Sequence, residues 1–159
     1  MAVITNLFND TVKPSDVFGY EVNTDVGYGR ETFEITVTDK VRVGTVLELD
    51  YATKTAKVVN GSALAGATEV KALGELGVFV GRDLPTNPTT AQDFDSLTMA
   101  ETGNGVAIVK GDGRGVLKKG YLDLGGTAFY KLSEEAQKAL SAKFTTENRF
   151  KVIDQQYTA

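Results

Sequence analysis

A mainly β domain, a small barrel or sandwich with one C-terminal helix and an extended N-terminal arm, is the fold this sequence predicts. Three observations lead there. Thr32, Glu34, Thr36 and Thr38 alternate with Phe33, Ile35 and Val37, the period-2 order of a half-buried strand rich in β-branched and aromatic side chains. Gly74, Gly77 and Gly81 interrupt the apolar stretch 70–82, a glycine frequency that works against helix. Only residues 133–144 carry the start and stop signals of a helix.

In chain order, residues 1–29 scatter Leu7, Phe8, Val12, Phe18 and Tyr20 among Asn, Asp, Pro and Gly without either period, and so predict an arm ahead of a single domain at 30–159. The arm's large apolar side chains need a surface. Two surfaces fit: the domain's own sheet, or a neighbouring molecule on which the arm becomes ordered. After the strand centred on Ile35, Asp39 and Lys40 turn the chain, and residues 41–51 predict a second strand bent at Gly44. Ala52, Thr53 and Lys54 turn it again, and residues 55–59 return as a hairpin partner. The small residues of 60–67 read as a loop, 70–82 as a strongly bent strand, and 83–105 as the longest loop. Residues 106–109 predict a short strand, joined through a hairpin turn at Asp112-Gly113 to another over 115–124. In the helix, Ser133 is the N-cap, Glu134 and Glu135 occupy the first turn, Lys143 the last, and Ala136, Leu140 and Phe144 share one face. Residues 150–153 predict a final strand and 154–159 a frayed tail.

Composition narrows the function. At 159 residues one core is enough, since folding at this size buries about 70% of the surface an unfolded chain exposes. With 42% hydrophobic and 24% charged residues, the chain is too apolar to be wholly disordered. It has no Cys, which excludes disulfides, cysteine-based zinc sites and a thiol nucleophile, and no His, which excludes the commonest general base and imidazole ligand. The net charge of −4 argues against a nucleic-acid partner. No run approaches the roughly 18 apolar residues of a membrane span, so no membrane partner is expected. The start MAVITNLFND lacks the basic and long apolar parts of a secretory signal, and the chain is expected to stay in the cytoplasm or leave it inside a larger assembly.

The remaining chemistry-bearing patterns fall short of a site. The glycine-rich segment 111–115 meets neither Walker nor dinucleotide spacing, and a hairpin turn explains it. Asp93, Asp95, Ser96 and Glu101 do not follow a calcium-loop spacing. Glu31 and Glu34, posed as a glycosidase pair, point to opposite faces of a strand. No catalytic residue, metal ligand or cofactor is expected.

GTVL at 44–47, the glycine-valine strand at 76–80 (LGVFV) and the apolar run ending in Lys110-Gly111 at 106–111 follow one another in the order seen in the head decoration, or capsid cement, proteins of tailed bacteriophages of the phage lambda type. The chain resembles that family over roughly residues 31–144, including a terminal helix found in some members. It departs from them in its greater length and in the loop 83–105. The resemblance implies a compact β-tulip fold, a homotrimer on the local three-fold positions of an expanded head, and the major capsid protein as partner. It implies a protein made in the host bacterial cytoplasm and located on the virion surface, which holds the shell against internal pressure without catalysis. On it, Leu7, Phe8, Val12, Phe18 and Tyr20 are the capsid-binding residues of an arm that pairs by β-augmentation, with Phe33, Ile35 and Val37 as its landing edge. Two other readings remain: a tail or tube protein that polymerises through similar edges, and a carbohydrate- or receptor-binding module exposing Tyr28, Tyr51 or Tyr121.

Overall fold

The alternation around Ile35 becomes the wall of a closed barrel. The computed structural model describes residues 12–23, 27–82, 89 and 96–154. In chain order a short helix α1 (Pro14–Val17) leads into β1 (Phe18–Tyr20), β2 (Arg30–Thr36), β3 (Val41–Arg42), β4 (Val46–Asp50) and β5 (Thr55–Val58). Helix α2 (Ala67–Lys71) precedes β6 (Glu75–Arg82), β7 (Thr98–Met99), β8 (Gly103–Ile108) and β9 (Val116–Lys118). The hairpin β10 (Asp123–Leu124) and β11 (Thr127–Ala128), helix α3 (Glu134–Thr146) and β12 (Lys151–Ile153) complete the chain. The barrel closes in the order β2-β5-β4-β6-β8, antiparallel throughout except for the parallel pair β2 and β5.

A five-stranded barrel has little interior, and the sequence fills it by opposing large and small side chains. Phe33, Ile35, Leu47, Leu49 and Phe79 point inward with Ala56 and Ala107. Glycine supplies the rest of the room. A Cβ on Gly105 would lie 2.5 Å from Ile35 Cδ1 and 2.8 Å from Phe79 Cε2, and one on Gly77 would lie 3.2 Å from the Ala107 Cβ. Gly105 leaves room for Ile35 and the Phe79 ring, and Gly77 for Ala107, Leu49 and Val109. The expected bend at Gly44 is also present, at φ +95°, and separates β3 from β4.

The outward faces of the same strands build a second core. Val46, Leu76, Val78, Val80 and Ile108 pack with Leu140 and Phe144 of α3, Val70 of α2 and Phe150 beside β12. Strand β6 is therefore buried on both faces, which is why it reads as a continuous apolar run. Helix α3 forms as its punctuation predicts: the Ser133 hydroxyl accepts the Ala136 N–H at 3.2 Å, and Ala136, Leu140 and Phe144 are fully buried. The fold is thus mainly β, a small barrel with a C-terminal helix.

Three expectations are corrected. Part of the segment read as an arm belongs to the folded body: Val17, Phe18 and Val22 are buried, and β1 pairs antiparallel with β9. Residues 67–71, placed in the loop and the start of a bent strand, are helical, because the Glu69 carboxylate accepts the Gly66 N–H at 3.0 Å and Val70 supplies a buried anchor. The Asp112-Gly113 turn has the expected left-handed backbone, at φ +51° and +78°, but it does not make a hairpin. Strand β8 stays in the barrel, whereas β9 lies between β1 and β12 in a separate three-stranded sheet. The turn's N–H groups explain the divergence: Gly111 donates to Asn148 O at 2.8 Å and Gly113 to Arg149 O at 2.7 Å, so the turn is tied to the chain after α3.

Candidate functional site

The residues expected to bind a partner are distributed unevenly. Leu7 and Phe8 lie outside the described residues, as do Asp93 and Asp95. Val12 is half-buried and lines a cleft of about 500 Å³ at the barrel end where β2 finishes, beside Val41, Arg42 and Val58. Phe18 is a core residue, its ring 5.8 Å from that of Phe150. Tyr20, at the end of β1, is half exposed at 50%. The proposed landing edge is corrected outright. Phe33 and Ile35 are buried inside the barrel, Val37 packs against the same interior cluster, and β2 has no free edge there. Glu34–Thr36 bonds to β5 on one side while Arg30–Ile35 bonds to β8 on the other. Among the described residues, β1 and β12, the outer strands of the three-stranded sheet, are paired on one side only.

At the opposite barrel end, where β2 begins, a cleft of about 770 Å³ opens between the strand ends and helix α3. It brings together Tyr28 and Tyr51, two of the tyrosines proposed as recognition residues, whereas Tyr121 lies near the other end, its carbonyl bonded by the Arg42 guanidinium at 3.3 Å. Tyr51 sits on the turn after β4. That turn is set by the Asp50 carboxylate, which accepts the Ala52 N–H at 2.9 Å and the Thr53 N–H at 3.3 Å. The Tyr51 ring meets Phe33 edge-on at 5.4 Å and so caps the barrel interior. Burial, then a hydrogen bond to the Glu31 carboxylate, pushes the Tyr51 phenol well above its ordinary pKa, and it stays a neutral donor. On the far wall Tyr28 is 44% exposed, with the Lys110 ammonium 5.1 Å from its ring centre.

Charge around the cleft is locally paired. Arg30 holds Glu21 in a two-point contact at 2.6 and 2.8 Å, Lys143 meets Glu147 at 2.9 Å, and Lys54 meets Glu31 at 3.4 Å. Asn148 forms part of the lining at the end of α3. Its amide nitrogen donates to Leu76 O at 2.7 Å and Val109 O at 2.8 Å, which ties the helix end to β6 and to the chain just after β8. Among the described residues, no group of three or more acidic side chains is arranged to hold a metal ion. Glu31 lines the cleft and Glu34 points away on the outer face, as the alternation predicts.

Comparison with known proteins adds no relative. No protein-family model, curated protein or solved structure matches the chain. The arrangement must therefore be read on its own chemistry: two aromatic rings, a balanced set of charges and a buried amide around one concave surface.

Lys143, Glu75 and Asn148 escaped the reading of the sequence. They come from α3, from the start of β6 and from the residues after α3, and no short-range spacing joins them. The available signal was at Asn148-Arg149, a polar pair between the helix and Phe150 where the chain must reverse. Arg149 takes φ +56° to do so.

Proposed function

We propose that the chain is a non-catalytic decoration protein of a tailed-phage head, binding the major capsid protein on the outer surface of the expanded shell as a homotrimer. The observation that carries this reading is the placement of the three segments behind the family resemblance. Residues 44–47, 76–80 and 106–111 overlap β4, β6 and β8, three neighbouring strands of one barrel, which supports reading the three segments together. A rigid body of this kind supports multivalent attachment, in which several modest contacts add to strong avidity once they engage together.

The structure changes which residues should make the contact. Phe18, Phe33 and Ile35 are committed to the core and Val37 packs against it, so attachment falls to Leu7, Phe8, Val12 and Tyr20, with the edge of β1 that no described strand pairs as the site of strand addition. A truncation that begins at Asn23 would remove Val17, Phe18 and Val22 from the core and test folding instead of binding. The informative variants are deletion of residues 1–11 and Tyr20→Ala, each mixed with expanded empty heads and sedimented. The full chain should elute as a small closed oligomer by light scattering and co-sediment with heads, and the deletion should stay in the supernatant. Full-length protein that forms rings or filaments alone and ignores heads would replace this reading with that of a tube protein.

A further inference from the structure

We infer that the cleft between helix α3 and the barrel end is a binding site for a neutral saccharide of one or two rings. This inference does not depend on the capsid reading. It follows from the lining, beginning with its charge. Arg30, Lys110 and Lys143 are matched by Glu31, Glu75 and Glu147, so the cleft offers no net field to an anion or a cation. The same side chains are rich in both donors and acceptors: the carboxylates accept, and the ammonium and guanidinium groups donate. A ligand that carries many hydroxyls and no charge uses both kinds at once.

The aromatic content points the same way. Tyr28 and Tyr51 are 44% and 39% exposed, and each presents an apolar ring with a polar tip. The C–H face of a pyranose is the apolar surface that matches such a ring, and its rim of hydroxyls reaches the surrounding charges. Tyr51 is held before a ligand arrives by the edge-on contact of its ring with Phe33, which lowers the ordering cost of binding. A volume of about 770 Å³ falls within the range of small-ligand sites, roughly 300–1,000 Å³.

An independent observation concerns Asn148. Its Oδ1 is the buried side-chain polar atom among the described residues with no hydrogen-bond partner, and the residue is only 6% exposed. Both amide hydrogens are already used on Leu76 O and Val109 O, so the oxygen cannot be satisfied by turning the group over. A buried acceptor of this kind, on a residue that lines the cleft, is an unmet hydrogen-bonding demand directly beside the site. Glu75, exposed at the start of β6 and in no ion pair among the described residues, is a second free acceptor on the same lining.

The test uses the full chain, isotopically labelled, titrated with glucose, galactose, N-acetylglucosamine, maltose, lactose and N,N′-diacetylchitobiose and followed by amide chemical shifts. At least one sugar should move the amides of residues 28, 51, 75 and 148 together. Tyr28→Ala and Glu75→Gln, both at exposed positions, should each weaken that sugar about tenfold while leaving thermal stability unchanged. The inference is overturned if no sugar shifts these amides at about 10 mM, well above a millimolar dissociation constant. It is equally overturned if the shifts collect around Asp123 at the other barrel end. Tighter binding of glucose 6-phosphate or glucosamine than of glucose would contradict the neutral character of the site.

Discussion

Asn148 joins three parts of the molecule through one side chain. Its amide nitrogen bonds the carbonyls of Leu76 and Val109, and its own carbonyl accepts the Gly111 N–H, so it ties the end of α3 to the barrel and to the turn after β8. Asn148→Ala leaves those two carbonyls without their donor and is expected to cost about 2 kcal/mol in denaturant unfolding. Gly105→Ala acts by overpacking: its Cβ would press on Ile35, Phe79 and Met99 within the barrel, and a loss of about 1–3 kcal/mol is expected from the same measurement. Glu48 gives a pH dependence. Burial pushes its pKa up, but the Lys57 ammonium at 3.0 Å and the Gly74 N–H outweigh this and hold it below the ordinary 4.5. A carboxylate with a lowered folded pKa stabilises the fold above its unfolded value, and that contribution disappears as pH falls through the folded value. Glu48→Gln should therefore cost less than about 1 kcal/mol near neutrality, the pair being partly exposed, and the gap to wild type should close below pH 4.5 in parallel unfolding curves.

Among the elements, helix α3 depends most clearly on one local device. The Ser133 hydroxyl accepts the Ala136 N–H and donates to Ala65 O at 2.9 Å, so Ser133→Ala should lower stability by about 1 kcal/mol, and Ser133→Asp, which restores the acceptor, should recover part of it. Elements defined by local chemistry were the legible ones. The strand at Ile35, the bend at Gly44, the hairpin of β4 and β5, helix α3 and the strand β12 all follow from period, glycine placement or capping. Elements defined by a distant partner were not. Nothing around Asp112-Gly113 states that its N–H groups are claimed by residues 148 and 149, and so the separation of β8 from β9 could not be read. The glycine pair 125–126, at φ +63° and +92°, is a two-residue hairpin turn that joins β10 to β11, a local signal that the reading of 115–124 as one strand passes over. The two cleft tyrosines were recognisable as candidates, but their proximity is a product of barrel closure.

Across the whole molecule the two cores cannot be separated. Strand β4 sends Leu47 inward and Val46 outward, β6 sends Phe79 and Val78, and β8 sends Ala107 and Ile108, so each strand belongs to both clusters. Melting the outer layer strips the same strands that form the interior. Phe33→Ala, inside the barrel, and Phe144→Ala, outside it, should each cost about 3–5 kcal/mol and shift one common transition. Calorimetric and van't Hoff enthalpies that disagree would show that the layers melt independently.

Barrel closure also sets the timing of folding. The last ladder needed is the one between β2 and β8, where Arg30 faces Ile108, so β2 must wait for most of the chain before that side is paired. Contacts between such distant segments are expensive in loop entropy and put refolding in the millisecond-to-second range typical of β-barrel topologies. During synthesis, at about 5–20 residues per second, the wait is on the order of several seconds, with the edge of β2 that will face β8 unpaired throughout. The nascent chain is thus most prone to aggregate in the interval before β8 emerges from the ribosome.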